Sequence, residues 1–258
     1  MALCIAAALA FFSYSNKPRN SSANQPLFVY CAASVKPPLE AAARAYEKKY
    51  RVQVELTFGG SQTLLANAAL SGLGDLYVPA DDSYIELGRQ KNLVAEVVPL
   101  AEMTAILATA KGQKIGSLAD LLNSKLTIAQ ANPDAAAIGK LARDKLPKAQ
   151  WEALRKRTLV FTSTVTEAAN DVNLGAVQAA LIWDAMAPQY PNLNLVHLPE
   201  LEAVKSTIAV ATLKCSRQPG AALRFARFLG DPTGGLAEFE RNGFRIHGSE
   251  KSKDRSAD

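Results

Sequence analysis

Two serines stand where an apolar, strand-like run gives way to an amphipathic helix. Ser34 closes the run that begins at Phe28, and Ser61 closes the run that begins at Val54. At such a junction a serine presents its hydroxyl and its backbone N–H at a helix N-terminus, where the helix dipole favours an anion. Either serine alone is also typical of an ordinary helix N-cap. The pair in one α/β layer predicts a receptor for a small dehydrated oxyanion that needs no charged side chain.

Nucleophilic catalysis is the alternative chemistry for these residues. Ser61 lies in the segment 59–63 (GGSQT), which lacks the second glycine of a nucleophile elbow. Cys31 is the other candidate nucleophile, but the chain has only 2 histidines to serve as a base, His197 and His247. Neither histidine has neighbours typical of an activated imidazole, and both are expected to be surface or structural residues. We therefore expect a binding protein and no enzyme, with a serine hydrolase as a distant alternative.

The elements that must position the serines alternate between strand and helix patterns from Leu27 onward. Such alternation is typical of a doubly wound, mostly parallel sheet. A long apolar run at 103–110 has a counterpart at 206–213, and a second set of strand and helix patterns lies between them. Two extended crossings predict an α/β protein of two doubly wound lobes, with a ligand cleft above the hinge.

The domain boundaries follow from these crossings. Lobe 1 is predicted to comprise residues 26–107 with 207–248, and the inserted lobe 2 residues 108–206. Residues 1–25 combine a short apolar run with a polar stretch, as in a signal peptide and linker, although the usual positive start is missing. We expect export to the periplasm or another extracytoplasmic location, with anchoring by this apolar segment as the alternative. The polar, charged tail 249–258 is expected to be disordered.

Composition excludes several classes of function. The chain has 258 residues, 48% hydrophobic and 21% charged, which is ordinary for a soluble globular protein. The net charge of +5 comes from scattered basic residues and from no stripe interleaved with aromatics, so nucleic-acid binding is not expected. Cys4, Cys31 and Cys215 are too few for a zinc site or a disulfide framework. Cys31 and Cys215 lie in apolar runs and are expected to be buried thiols, with a bridge between them as the alternative.

Five short motifs occur in a fixed order along residues 27–245. They are AAS at 32–34, FGGS at 58–61, GDLYVPAD at 74–81, ANPD at 131–134 with Gly139, and GAVQAALIW at 175–183. Together they resemble the periplasmic molybdate-binding proteins of ABC transporters, which have the type II periplasmic-binding-protein fold. The resemblance implies a monomer without a cofactor that captures molybdate or tungstate between its lobes. It also implies delivery of this oxyanion to an ABC permease in the membrane.

In that family uncharged donors alone hold the oxyanion. The resemblance implies that Ser34 and Ser61 would each donate a hydroxyl and an amide, and that Ile138 and Val165 would donate amides at two helix starts. The family's tyrosine falls on Trp183, which supplies one indole N–H, donates only and is bulkier than tyrosine. The site therefore has the same kinds of donors as the family, with one of them changed.

Several alternatives stay open at this point. Ala137 replaces the family's proline and relaxes the local backbone. Trp183 leaves sulfate or thiosulfate open as ligands, and it could equally be a core residue. Ferric iron would call for clustered tyrosines or for histidines with carboxylates, whereas Tyr77, Tyr84 and Tyr190 are dispersed in the sequence.

Overall fold

The computed structural model describes residues 25–248, so most of the predicted signal segment and the whole predicted tail lie outside the described residues. Its strands are Leu27–Ala32 (β1), Val54–Gly59 (β2), Leu76–Val78 (β3), Val94–Thr109 (β4), Ile128–Ala131 (β5), Thr158–Thr162 (β6), Ala179–Trp183 (β7), Asn194–Val196 (β8), Lys205–Leu213 (β9) and Arg245–Ile246 (β10). Its α-helices are Lys36–Tyr50 (α1), Ser61–Ser71 (α2), Ser83–Gln90 (α3), Leu118–Asn123 (α4), Ala137–Lys145 (α5), Lys148–Arg157 (α6), Val165–Asn173 (α7), Pro219–Leu229 (α8) and Gly235–Arg241 (α9).

The strands form one mixed sheet in the order β2-β1-β3-β9-β4-β7-β5-β6, with β8 and β10 also paired to β4. β1 is parallel to β2 and β3, and β5 is parallel to β6 and β7. The long strand β4 is antiparallel to both β9 and β7. Parallel strands joined through helices on either side of an antiparallel centre confirm the predicted α/β, type II binding-protein-like architecture.

β4 is the strand that joins the two halves of this sheet. Its residues up to Thr104 pair with β9, and those from Ala105 to Thr109 pair with β7. The apolar run predicted at 103–110 is only the second part of this strand, because a register shift between Pro99 and Ala101 lets one strand continue from Val94 through the proline. The lobe boundaries at 107/108 and 206/207 stay a prediction, because β4 runs through the first and β9 through the second without a break.

Apolar packing on the outer faces holds the helices to the sheet. Tyr46 of α1 lies with its ring centroid 4.8 Å from that of Phe225 and 5.1 Å from that of Phe228, both in α8. All three side chains are buried. The α1 helix, which begins two residues after Ser34, is therefore packed against α8 through its buried aromatic side chain.

Two expectations about the cysteines and the helices need correction. Cys31 is buried as predicted, whereas Cys215 is exposed in the turn that follows β9, and both thiols are free. The short helix α4 was not predicted; Ser117 caps it by accepting the N–H of Asp120 at 3.0 Å. Between residues 25 and 248, no helix is both long and apolar enough to cross a membrane.

Candidate functional site

A small cavity lies where helix starts from both halves of the sheet meet. Its volume is about 10 Å³. The sequence-predicted residues Ser34, Ser61, Ile138, Val165 and Trp183 all line it. The other lining residues are small or polar and uncharged: Ala32, Ala33, Gly59, Gly60, Ala80, Ala136, Ala137 and Thr164. The fold thus brings together five positions that span 150 residues of sequence.

Ser34 is held in a 3₁₀ turn, Ala33–Val35, between the end of β1 and the start of α1. Its side chain is 2% exposed, and its Oγ has no hydrogen-bond partner among residues 25–248. The N-cap of α1 is Val35, so Ser34 does not perform the ordinary capping role that was its alternative. A buried hydroxyl without a partner lowers the free energy of unfolding by about 1–3 kcal/mol. Because its hydrogen-bonding capacity is unused, the Ser34 hydroxyl is available to a ligand.

Ser61 is the first residue of α2, after the N-cap Gly60, and so it is not a capping residue either. Its Oγ accepts the backbone N–H of Ala80 at 3.1 Å, and its carbonyl accepts the hydroxyl of Tyr77 at 2.7 Å. Because the Ala80 amide already occupies one lone pair, the Ser61 hydroxyl keeps its own hydrogen for donation. The two serines therefore present hydroxyls to the same cavity, and only the Ser61 hydroxyl is oriented by a hydrogen bond within the protein.

Ile138 and Val165 lie in the first turns of α5 and α7. The amides of a helix's first turn have no acceptor inside the helix, so they are available to an anion in the cavity. Ala136, the N-cap of α5, makes no side-chain capping bond. Gly139 lets α5 approach β5 closely, since a Cβ at this position would lie 2.2 Å from the carbonyl oxygen of Ala131. The α5 start is thereby fixed at the cavity.

Trp183 ends β7 and is fully buried, yet it also lines the cavity, so the core and cleft alternatives are both true of it. Its indole Nε1 has no hydrogen-bond partner in the described part of the chain. The next residue, Asp184, accepts the N–H of Thr104 at 2.9 Å and that of Ala185 at 2.8 Å. These bonds hold the end of β7 against β4 and fix the position of the indole.

The two halves of the sheet touch beside the cavity. The N–H of Gln62 donates to the carbonyl of Ala135 at 3.0 Å across the cleft. A Cβ built on Gly60 would lie 2.5 Å from the carbonyl oxygen of Ala135 and 2.7 Å from that of Ser163. Only a glycine fits between these two backbone segments, which enclose the cavity on the side of α2.

The electrostatics of the cavity come from backbone dipoles. Within the described structure, none of its lining residues carries a charged side chain. Asp81 is buried just beyond Ala80, and burial raises the pKa of its carboxyl despite its hydrogen bonds with Ser83. Four helix starts or turns that point toward one cavity favour an anion, each by about 0.3–1 kcal/mol and more when partly buried.

The cavity lacks the residues that iron binding or serine hydrolysis would need: no tyrosine, histidine or carboxylate among residues 25–248 lines it. Tyr77 and Tyr190 donate their hydroxyls to Ser61 O and Asn170 Oδ1, at 2.7 and 2.9 Å, and Tyr84 lines a separate cleft. Over residues 25–248, no three His, Cys, Asp or Glu side chains are grouped to hold a metal ion. No imidazole or carboxylate lines the cavity beside Ser61 in this part of the chain. Burial, followed by the charge of Glu40, raises the pKa of the Cys31 thiol and disfavours its thiolate.

Sequence reasoning missed the polar residues that support the cavity. Thr164 is the N-cap of α7, and its side chain accepts the N–H of Glu167 at 3.2 Å. The spacing Thr-x-x-Glu is the signature of a capping box and could have identified Thr164 as the cap of this helix. Ser206 donates its hydroxyl to the carbonyl of Ala80. No local pattern could indicate that contact, because it joins residues 126 positions apart.

Known proteins resemble this chain over nearly all of its described length. The molybdate-binding protein ModA of Mycobacterium tuberculosis is 25% identical over 226 residues, covering 82% of this chain and 83% of the relative. The periplasmic molybdate-binding protein of Azotobacter vinelandii superposes with a TM-score of 0.73 at 17% identity, over 84% of this chain and 98% of that one. The sulfate-binding protein SubI of Mycobacterium tuberculosis superposes with a TM-score of 0.73 at 16% identity, over 90% of this chain and 91% of that one.

These structural likenesses show a shared fold. A family model described as bacterial extracellular solute-binding protein matches residues 27–245, which is most of the chain and includes every residue that lines the cavity. The chain belongs to the family of bacterial extracellular solute-binding proteins.

Proposed function

We propose that this protein captures a tetrahedral oxyanion, molybdate or tungstate, in the cavity and delivers it to an ABC permease. It needs no cofactor for this task, because the ligand itself is the cargo. The observation that carries the proposal is a cavity with two buried, unpartnered polar atoms, Ser34 Oγ and Trp183 Nε1, beside helix N-termini and no lining charge. Buried polar groups normally have partners, and an oxyanion would supply acceptors for both.

The size of the cavity supports a small inorganic ligand. Its volume of about 10 Å³ lies far below the roughly 300–1,000 Å³ of pockets that take drug-sized molecules. A sugar phosphate or another organic anion would need a further polar subsite next to the anion. The residues lining this cavity are mostly alanines and glycines, which offer backbone N–H groups at short range and little else.

The donors favour a fully deprotonated anion. The indole N–H and the helix-start amides can only donate, and the Ser61 hydroxyl already accepts from Ala80. A hydrogen phosphate would direct its own proton at one of these donors, which leaves an unmade hydrogen bond and costs affinity. The relatives named as molybdate-binding proteins agree with this selection for a dianion.

Sulfate is the second candidate ligand, because it is also a tetrahedral dianion. The fold is shared with a protein named as sulfate-binding, and Trp183 changes the donor that the resemblance assigned to a tyrosine. The bulk of the indole sets the room left for the anion. Molybdate is the larger of the two tetrahedral anions and sulfate the smaller. A competition titration that compares their affinities therefore distinguishes the two candidate ligands.

Isothermal titration with molybdate, tungstate, sulfate and phosphate tests the proposal. We expect nanomolar to micromolar binding of molybdate and tungstate, which corresponds to roughly 8–12 kcal/mol, and much weaker binding of phosphate. Replacing both Ser34 and Ser61 by alanine should abolish this binding. Ser117→Ala is the matched control, since Ser117 caps α4 outside the cavity. Folded protein that gives no heat with any of the four anions would overturn the proposal.

Capture implies two further properties that follow from the family. We propose that the protein acts in the periplasm or another extracytoplasmic space as a monomer that meets the permease with its ligand enclosed. Light scattering of the purified protein with and without molybdate tests the monomer. Transport of molybdate by membranes that contain the permease, with and without this protein, tests the delivery step.

A further inference from the structure

We infer that Ser206 is a positioning residue that commits the Ser61 hydroxyl to donation into the cavity. The inference rests on the proposed function, because it takes Ser61 as a donor to the oxyanion. Ser206 does not line the cavity itself. It lies near the start of β9, opposite Met103 of β4, and its side chain is 2% exposed.

A short series of buried hydrogen bonds leads from Ser206 to Ser61. The Ser206 hydroxyl donates to the carbonyl of Ala80, and the N–H of Ala80 donates to Ser61 Oγ at 3.1 Å. Tyr77, fully buried in β3, fixes the other side by donating its hydroxyl to the Ser61 carbonyl at 2.7 Å. Ala80 thus links the two serines: its carbonyl accepts from Ser206, and its amide donates to Ser61.

This arrangement decides the direction of the Ser61 hydroxyl. A serine hydroxyl has one hydrogen and two lone pairs, so by itself it can donate or accept. The Ala80 amide takes up an acceptor site of Ser61, which leaves the hydrogen for the cavity. Ser34 has no such partner, and its hydroxyl can turn freely. Ser61 is therefore the serine whose role as a donor is set before any ligand arrives.

Ser206 also connects this donor to the crossing between the two halves of the sheet. It is near the first residue of the strand that returns from the second half, where Thr104 pairs with Lys205 and Met103 with Ser206. Without the Ser206 hydroxyl, the buried Ala80 carbonyl loses its hydrogen-bond partner. We expect the loop after β3 to shift, because an unpaired buried carbonyl is costly. Any such movement withdraws the Ala80 amide from Ser61 Oγ and releases the hydroxyl.

A double-mutant cycle tests this coupling by titration with molybdate. We expect Ser206→Ala to weaken binding about tenfold in the wild-type background, as the loss of one well-placed hydrogen bond to a charged ligand would. In the Ser61→Ala background the same change should add less than about twofold, because no hydroxyl remains to be oriented. Ser206→Thr keeps the hydroxyl and should restore most of the affinity.

Thr212→Ala is the matched control, since Thr212 is a buried hydroxyl residue on the same strand that contacts Glu96, away from the cavity. It should lower the melting temperature without changing the affinity. Equal losses of affinity from Ser206→Ala in both backgrounds, or a loss from Thr212→Ala as large as from Ser206→Ala, would overturn the inference.

Hydrogen exchange of the Ala80 amide separates this inference from the proposed function. In ligand-free protein, Ser206→Ala should accelerate exchange of that amide at least tenfold, and Thr212→Ala should not. Unchanged protection of the Ala80 amide in Ser206→Ala overturns the role of Ser206 whatever the ligand is. If Ser206→Ala shows the accelerated exchange but the wild-type protein binds no oxyanion, the proposed function is overturned and, with it, the donation to an anion.

Discussion

At the scale of single residues, the buried Ser34 hydroxyl destabilises the ligand-free protein, because it has no hydrogen-bond partner until a ligand binds. Its hydroxyl is buried without a partner, whereas the Ser61 hydroxyl is paired with the Ala80 amide. Ser34→Ala should therefore weaken molybdate binding and at the same time raise the free energy of unfolding of the ligand-free protein by about 1 kcal/mol. Urea denaturation without ligand, together with titration, measures both quantities.

Ser61→Ala is the natural comparison for that experiment. It also weakens binding, but it removes the partner of the Ala80 amide and should lower the free energy of unfolding. Opposite signs of the stability change in the two variants, with losses of affinity in both, are the expected pattern. If Ser34→Ala destabilises the ligand-free protein as much as Ser61→Ala does, the Ser34 hydroxyl has a structural partner and is not reserved for a ligand.

Trp183 offers an optical measurement of the same site. The chain contains 2 tryptophans, Trp183 in the cavity and Trp151 buried in α6. Molybdate binding should change the intrinsic fluorescence, and this change should vanish in Trp183→Phe. The phenylalanine keeps an aromatic ring but lacks the N–H, so affinity should fall about tenfold. The matched control Trp151→Phe should keep both the affinity and the ligand-induced change; a response that depends on Trp151 would place the ligand elsewhere.

At the scale of the elements, the closing of the two halves depends on Gly60 at the start of α2. Its Cβ position lies 2.5 Å from the carbonyl oxygen of Ala135 and 2.7 Å from that of Ser163, both in the opposite half. Gly60→Ala should therefore hold the halves apart while each still folds, and should weaken molybdate binding at least a hundredfold. Small-angle scattering should show a larger radius of gyration for this variant than for the wild type in saturating ligand.

The control for this experiment is Gly220→Ala in α8. A Cβ there would meet only the Arg224 side chain, at 3.6 Å, and alanine favours a helix over glycine by about 1 kcal/mol. Affinity and radius should stay as in the wild type. A Gly60→Ala protein that binds with wild-type affinity would show that the enclosing contact around Gly60 does not control capture.

The elements themselves could be largely predicted from local patterns, because apolar periodicity and turn residues are local properties. The strand before Ser34 and the helix that begins at Val165 are within the chain segments where the patterns placed them. The continuity of β4 could not be foreseen, since the local patterns indicate separate apolar runs and the register shift between Pro99 and Ala101 depends on pairing with β9. The exact start of α2 could not be predicted either: Ser61 is the first residue of this helix, one position after the N-cap Gly60.

Contacts between distant segments explain the rest of what the sequence did not reveal. The bond from Ser206 to Ala80 and the fit of Gly60 against Ala135 depend on the packing of the two halves of the sheet. Cys215 was expected to be buried because its neighbours in β9 are apolar, but it lies past the end of that strand, in an exposed turn. Ser34 and Ser61 could be singled out from their positions at strand-to-helix junctions, whereas Ile138, Val165 and Trp183 could be named only through the family resemblance. Contact of all five residues with the ligand stays a prediction.

At the scale of the whole molecule, charge and binding should be largely independent of each other. The net charge is +5, yet no charged side chain among residues 25–248 lines the cavity, where helix-start amides and hydroxyls are buried. Salt screens exposed charges over about 8–10 Å but screens buried groups much less. The scattered positive charge should therefore affect mainly the rate at which an anion meets the protein.

Stopped-flow fluorescence of the Trp183 signal can separate these two effects. Raising sodium chloride from low to near-physiological ionic strength should slow molybdate association severalfold at most. The dissociation rate should stay within about twofold, because the buried contacts that hold the anion are little screened. A site built on lysine or arginine would instead release the anion faster as salt rises. A dissociation rate that climbs steeply with ionic strength would therefore contradict capture by uncharged donors, even if molybdate binds tightly.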